Sequence, residues 1–192
     1  MPSLISIQNL SVAFNQEGES TVAVKNSNIE IRRGELVAIV GESGSGKTTL
    51  ANLLLGFLTP TSGEVRFRGQ NVWAMSTAER RLFHKEVQAI FQDPFEVYNP
   101  FYKIDHILTT PIKKFNLASN KTQTYELMTT ALRNVGLNPA DTLGRYPHQL
   151  SGGQRQRVTI ARALVLQPRI IIADEPVSMV DASLRATILE SL

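Results

Sequence analysis

One run of eight residues, Gly41-Glu42-Ser43-Gly44-Ser45-Gly46-Lys47-Thr48, has the composition of a phosphate cradle. It fits the pattern G-x-x-x-x-G-K-[ST]. The glycines let the backbone bend tightly, so that several N–H groups point into one concavity. A helix predicted to start at Lys47 adds the positive end of its dipole. The Lys47 ammonium can reach β- and γ-phosphates, and the Thr48 hydroxyl can ligate Mg²⁺. The alternative, a glycine-rich turn with an exposed lysine, is the weaker reading because an apolar run precedes the loop and a helical pattern follows it.

A second chemical feature is the apolar run Ile170-Ile171-Ile172-Ala173, which ends in the carboxylates Asp174 and Glu175. An aspartate at the tip of such a strand helps to hold Mg²⁺ in P-loop NTPases. That role falls to Asp174, and Glu175 is then placed to polarise a water for in-line attack on a γ-phosphate. By itself the pattern is weak, since apolar strands often end in solvated acids; the phosphate loop upstream gives it weight.

The third feature, Leu150-Ser151-Gly152-Gly153-Gln154, reads as another anion cradle. Ser151 can hydrogen-bond phosphate oxygens, Gly152 and Gly153 expose backbone N–H groups, and a helix is predicted to begin at once. One nucleotide has no obvious need of two cradles in one chain. A head-to-tail pair of chains resolves this, with the phosphate loop of one facing the Ser-Gly-Gly turn of the other.

These residues need a scaffold. The expected class is α/β with a parallel core, antiparallel strands at the front and a helical subdomain. Short strands are predicted at 4–7, 11–14, 21–24 and 28–31, with a hairpin tip over 15–20. Residues 35–40 have the composition of a buried parallel strand, residues 47–57 of a helix, and residues 64–67 of an edge strand. From about 98 to 149 helical spacing prevails, most clearly over 124–135. A further helix is predicted from the Ser-Gly-Gly turn to Leu166, and a second buried strand over 169–173. The expected division is a β-subdomain with the first part of the P-loop core at 1–97, a helical subdomain at 98–157, and the second part of the core at 158–192.

The composition excludes several functions. The chain has 192 residues, with 20 Lys and Arg against 17 Asp and Glu, a net charge of +3. The basic residues are scattered, so nucleic-acid binding is not expected. It has no cysteine, which removes disulfides and thiol chemistry. His84, His106 and His148 are not at metal-ligand spacing. No apolar run is long enough to span a bilayer, and the amino terminus does not read as a secretory signal. A cytosolic chain is expected, with any membrane role exerted through partners.

The motifs and their order resemble those of ABC ATPases over essentially the whole chain. Residues 41–48 look like the Walker A motif, 170–175 like Walker B and 150–154 like the signature motif. Phe91-Gln92-Asp93-Pro94 resembles the Q-loop, and Ser178-Met179-Val180-Asp181 the D-loop, usually written S-A-L-D, with departures at Met179 and Val180. The resemblance implies ATP contacts from Gly41, Ser43, Gly44, Ser45, Gly46, Lys47, Thr48 and Thr49, and from Ser151, Gly152, Gly153 and Gln154. It implies adenine stacking on Phe14 and a Mg²⁺ held by Thr48, Gln92 and Asp174, with Glu175 and Gln92 in the catalytic roles. Asp181 reads two ways, as a residue working across a dimer interface or as an N-cap. Arg155 and Arg157 read either as phosphate helpers or as a solvated helix face. Trp73 and Phe83 read as core.

Phe91-Gln92-Asp93-Pro94-Phe95, Tyr98-Asn99-Pro100 and Tyr146-Pro147-His148-Gln149 further resemble the oligopeptide, dipeptide and nickel importer ATPases. That implies a peripheral ATPase at the cytoplasmic face of a membrane. Its partners would be a second ATPase chain (identical or a sister), integral permease subunits and, indirectly, an extracytoplasmic solute-binding protein. In this family the stretch holding Phe95, Tyr98, Phe101 and Tyr102 faces the membrane subunit; packing within the helical subdomain is the competing reading. The family's switch histidine and last strands would come after Leu192, so the expected fold is incomplete at the carboxy terminus. Two other functions compete: a nucleotide-binding fragment without turnover, and a soluble ABC ATPase without membrane partners.

Overall fold

The computed structural model describes residues 3–16, 19–91 and 98–174. They form two compact units that divide between His84 and Lys85. The division falls earlier than residue 97 because the strand just after His84 pairs with a strand of the second unit.

The first unit is an antiparallel sheet with one helix bearing the phosphate loop. Strands β1 (Ile5–Gln16) and β2 (Glu19–Ile31) form a long hairpin, with Gln16 opposite Glu19 and Ile5 opposite Ile31. The four short strands expected here are thus two long ones. Their register shifts around Asn9 and Asn26, which take left-handed φ of 48° and 44°. Such bulges break the apolar-polar alternation and make one strand read as two. The sheet continues through β3 (Ser62–Phe67) to the two-residue β4 (Gln70–Asn71), in the order β2-β1-β3-β4. The expected edge strand is therefore flanked on both sides, though β4 covers only Arg66 and Phe67. The inward face buries Ile5, Ile7, Leu10, Val12, Val65 and Phe67. Helix α1 (Lys47–Leu54) buries Leu50, Ala51, Leu53 and Leu54. Helix α2 (Thr77–Glu86) buries Phe83, whose ring meets that of Phe67 edge-on at 5.3 Å.

One expectation fails here. Residues 35–40 form no strand: Leu36 is 100% exposed and Val40 92%. The run has the right side chains, but a strand exists only where its N–H and C=O groups find a partner, and none of the described strands pairs with it.

The second unit is mainly helical. A parallel pair, β5 (Val87–Ile90) and β6 (Ile170–Ala173), runs in register from Val87 opposite Ile170 to Ile90 opposite Ala173. β6 confirms the predicted second strand, although it is half-buried rather than buried. β5 went unpredicted because its glutamine, Gln88, interrupts the apolar run that marks the equally short β6. Around this pair pack α3 (Ile104–Lys114), α4 (Lys121–Asn134), the single turn α5 (Pro139–Thr142) and α6 (Gly152–Leu164). Helix α4 starts three residues before its predicted position because Asn120 caps it, its side chain accepting from Gln123 N–H. The core joins Ile90, Ile104, Leu108, Ile112, Leu132, Val158 and Ile160. Truncating one of these, Leu132→Ala for instance, is expected to cost about 2–5 kcal/mol. Among the described residues, no helix is long and apolar enough to cross a membrane.

Candidate functional site

The phosphate loop is built by its glycines. Gly44 and Gly46 have φ of +81° and +91°, the left-handed region in which a Cβ is strained. At Gly46 the constraint is also steric, since a Cβ there would stand 2.4 Å from the carbonyl oxygen of Ala23 on β2. At Gly44 a Cβ would meet nothing within 4 Å, so the loop is open on that side. Ser45 N–H closes a tight turn onto Glu42 O at 3.2 Å. Helix α1 then starts from Gly46, which has no side chain to cap it, and the positive end of its dipole lies at the loop. The Lys47 ammonium folds over the loop, donating to Gly41 O at 2.9 Å and Glu42 O at 2.7 Å. Gly41, Ser45, Gly46 and Lys47, with Ala23 and Val24 of β2, line a cleft of about 240 Å³.

An uncapped helix start, a loop opening at Gly44 and one ammonium at its rim suit a phosphate chain. They do not suit an apolar ligand. Thr48 and Thr49 open the helix just after Lys47. Phe14 lies on β1 opposite Thr21 and is 40% exposed, so its ring is accessible for stacking.

The Ser-Gly-Gly turn belongs to the second unit. Ser151 is the N-cap of α6: its hydroxyl oxygen accepts from Gln154 N–H at 3.2 Å. In return the Gln154 side chain accepts from Ser151 N–H at 2.9 Å, a reciprocal capping box. A hydroxyl that accepts this way keeps its own proton to donate. Ser151 is exposed, so that proton faces solvent from the positive end of α6. Sequence reasoning expected Ser151 at the phosphate and missed that the same oxygen holds the helix start. Gly152 and Gly153 occupy the first turn, as expected.

Arg157 has a role that neither reading considered. Its guanidinium donates to Gly153 O at 3.3 Å and to Gly136 O at 2.9 Å, tying the Ser-Gly-Gly turn to the chain just after α4. The four-residue spacing from Gly153 offers no signal for this; the partner carbonyl of Gly136 is 21 residues away.

Asp174 follows β6, and its N–H donates to Ile90 O at 2.9 Å. The ladder thus fixes a carboxylate at the strand tip, half-buried, next to where β5 hands over to Phe91. Gln92, Glu175 and Asp181 lie outside the described residues. So do Phe95 and the D-loop residues Ser178, Met179 and Val180. Among the described residues no three His, Asp or Glu side chains gather into a metal cage. The donors assigned to Mg²⁺, the Thr48 hydroxyl and the Asp174 carboxylate, are hard oxygens of the kind Mg²⁺ takes together with substrate phosphates.

The described aromatic residues after the Q-loop differ in burial. Tyr98 packs against the helical core, whereas Phe101 is 85% exposed. His84 meets Phe83 at a tilt, while His106 stacks on Tyr102 and His148 on Tyr146. Trp73 is half-buried and Phe83 buried.

An antiparallel sheet, a parallel pair ending in an aspartate, and a glycine loop opening a helix define a P-loop nucleotide-binding domain. The ABC transporter family model matches residues 24–178, and the chain belongs to that family. It is 40% identical, over 98% of its length, to the oligopeptide transport ATP-binding protein AmiF of Streptococcus pneumoniae, covering 61% of that protein. It is 41% identical to the putative oligopeptide transport ATP-binding protein YkfD of Bacillus subtilis, covering 57% of it. The chain thus spans about three fifths of the length of the curated relatives it matches. Its fold matches the dimeric ATP-binding cassette MJ0796 bound to ADP and phosphate, with a TM-score of 0.88 at 30% identity, over 97% of this chain and 80% of that one.

Proposed function

We propose that this chain belongs to the ATP-binding and ATP-hydrolysing motor subunit of an ABC importer, acting in the uptake of oligopeptides. The observation that carries the ATPase reading is the loop at 41–48, whose open backbone and rim ammonium sit at an uncapped helix start. The oligopeptide reading rests on relatives at about 40% identity that bear that name. The subunit would work at the cytoplasmic face of the membrane, paired head to tail with a second ATPase chain and docked on integral permease subunits.

In this mechanism Lys47 shifts its hydrogen bonds from the carbonyls of Gly41 and Glu42 to phosphate oxygens. The loop N–H groups and the start of α1 take the remaining charge. Thr48, Asp174 and Gln92 would hold Mg²⁺, which when bound neutralises charge on the β- and γ-phosphates. Glu175 orients and deprotonates the attacking water. Ser151 donates its proton to a nucleotide held on the partner's phosphate loop, while its oxygen keeps α6 capped. Binding two nucleotides thus draws two chains together, and hydrolysis releases them.

The test is ATP-dependent peptide uptake by the full-length protein, assembled with its membrane subunits in proteoliposomes. Lys47→Ala is expected to abolish ATP binding and uptake. Glu175→Gln is expected to keep ATP binding while lowering kcat on the order of 10²–10⁴-fold. Hydrolysis without any peptide uptake would assign the protein to the non-transport ABC ATPases. Full hydrolysis by Glu175→Gln would remove that residue from the base role.

A further inference from the structure

The Ser-Gly-Gly turn is held through one peptide group. The carbonyl of Gly153 and the N–H of Gln154 are the two ends of the same planar unit. Its N–H end donates to the Ser151 hydroxyl oxygen at 3.2 Å. Its carbonyl end accepts from Arg157 Nε at 3.3 Å. The other arm of the same guanidinium donates to the Gly136 carbonyl at 2.9 Å. Because the peptide is rigid, a rotation of its carbonyl also rotates its N–H, and with it the hydroxyl oxygen that the N–H holds.

The Gly136 end is a firm anchor. Gly136 lies two residues beyond α4, between the buried Val135 and Leu137. Its N–H donates to the Arg133 carbonyl, and that of Leu137 to the Leu132 carbonyl, both at 2.9 Å. Leu132 and Leu137 belong to the helical core. Arg157 thus ties the peptide beneath Ser151 to the core-packed end of α4. The Tyr98 phenol secures α6 at another point, donating to the Arg155 carbonyl at 2.5 Å, which belongs to a different peptide group from the one Ser151 caps.

The hydrogen bonds at Ser151 run head to tail. The guanidinium donates to the Gly153 carbonyl, the Gln154 N–H donates to the Ser151 oxygen, and the Ser151 proton is left to donate. In such a chain each bond polarises the next. A cation at its start strengthens the Gln154 donor, and through it the Ser151 hydroxyl as a donor. We infer that Arg157 is a positioning residue for the nucleotide contact of Ser151, its guanidinium fork holding the 153–154 peptide so that the hydroxyl proton is fixed and polarised toward a phosphate oxygen. The inference deepens the proposed role of Ser151 and rests on it. A lysine here would keep the charge without the rigid fork that spans the two carbonyls.

The test is ATP-driven pairing of the full-length protein in the Glu175→Gln background, followed by light scattering, with Arg157→Lys and Arg157→Gln. Both substitutions are expected to raise the protein concentration for half-maximal pairing about threefold to tenfold, the range one lost hydrogen bond supplies. Binding of a fluorescent ATP analogue to the unpaired chain is expected to stay within about twofold of the parent, since the phosphate loop does not depend on Arg157. Concentrations are counted as folded protein from thermal melts, so a loss of stability alone does not move the reading. Parent-like pairing by both variants, with lowered stability, overturns the inference and leaves Arg157 as a structural tie. Parent-like pairing by Arg157→Lys and weak pairing by Arg157→Gln also overturns it, because charge would then serve in place of the fork. An equal loss of ATP affinity in the unpaired chain overturns it too, since Arg157 would then act on capture. A parent protein that binds ATP and never pairs removes the proposed role of Ser151, and the inference with it. That result is distinguishable, because it appears before Arg157 is substituted.

Discussion

The α-carbon of Gly46 lies against the backbone carbonyl of Ala23, so close that a Cβ would stand 2.4 Å from the oxygen. The Ala23 carbonyl belongs to a sheet strand and cannot retreat as a flexible side chain can. Gly46→Ala is therefore expected to push the loop off β2, and its φ of +91° adds strain of about 1–3 kcal/mol. ATP affinity should fall at least about tenfold, equivalent to 1.4 kcal/mol. Gly44→Ala is the control: its φ of +81° is also strained, but nothing lies within 4 Å of the added methyl. It should lose about 1 kcal/mol of stability and less affinity than Gly46→Ala. Titration with a fluorescent ATP analogue, alongside thermal melts, checks both. Equal losses would show that backbone strain, and not the contact with Ala23, governs the site.

Ser151 caps α6 with its oxygen and keeps a proton for a phosphate, and substitutions separate these tasks. Ser151→Ala removes both and should cost about 1 kcal/mol of stability together with nucleotide-driven pairing of chains. Ser151→Asp keeps a good cap at the positive end of the helix, but it offers only acceptors and a negative charge to a phosphate. Its stability should stay within about 0.5 kcal/mol of the parent, while ATP-dependent dimerisation is lost. Light scattering with ATP, using the Glu175→Gln background to hold the dimer, makes the comparison. Dimerisation by Ser151→Asp would exclude Ser151 as a phosphate donor.

The motifs were legible because each is a local device. Glycines at left-handed φ, a lysine at a helix start and a capping serine are set by residues within a few positions of one another. The fold around them was legible where the periodicity had a partner to match, as in α4 and β6. It failed at 35–40, whose apolar run states what the chain could bury but not whether a neighbouring strand is there to pair with it. Bulges at Asn9 and Asn26 divided two long strands into four short ones. β5 was missed because Val87-Gln88-Ala89-Ile90 is interrupted by a glutamine, whereas β6, of the same length, is an unbroken apolar run. Arg157 and Tyr98 were missed as structural ties because their partners, the carbonyls of Gly136 and Arg155, are backbone atoms far away in sequence, and a backbone atom leaves no trace in residue type.

The guanidinium of Arg157 holds the carbonyls of Gly153 and Gly136 together, a two-pronged grip that a single ammonium cannot copy. Arg157→Lys should destabilise the protein by about 1–2 kcal/mol, since a hydrogen bond from a charged donor contributes about 1.5–3 kcal/mol when buried and less here, where the site is part exposed. Arg157→Ala should cost about as much or slightly more. Urea unfolding should show a shifted midpoint with an unchanged slope. No change in midpoint for either variant would reduce Arg157 to a solvated side chain.

The Tyr98 phenol also predicts a response to alkali. Burial pushes its pKa up to about 12, while the Thr159 hydroxyl and the charges of Arg155 and Arg162 pull it down. An unfolded tyrosine ionises near 10. Between those values the unfolded chain releases the proton while the folded chain retains it, so stability is intact below about pH 10 and declines toward pH 12. The full effect is about 2–3 kcal/mol, since each pH unit of difference corresponds to 1.36 kcal/mol. Tyr98→Phe has no proton there to lose, so its stability curve should be flatter over this window even though it starts lower at neutral pH. Denaturant midpoints from pH 9 to 11.5 check this, with the difference between parent and variant narrowing as pH rises. A constant difference would mean that the phenol does not stay protonated in the folded chain.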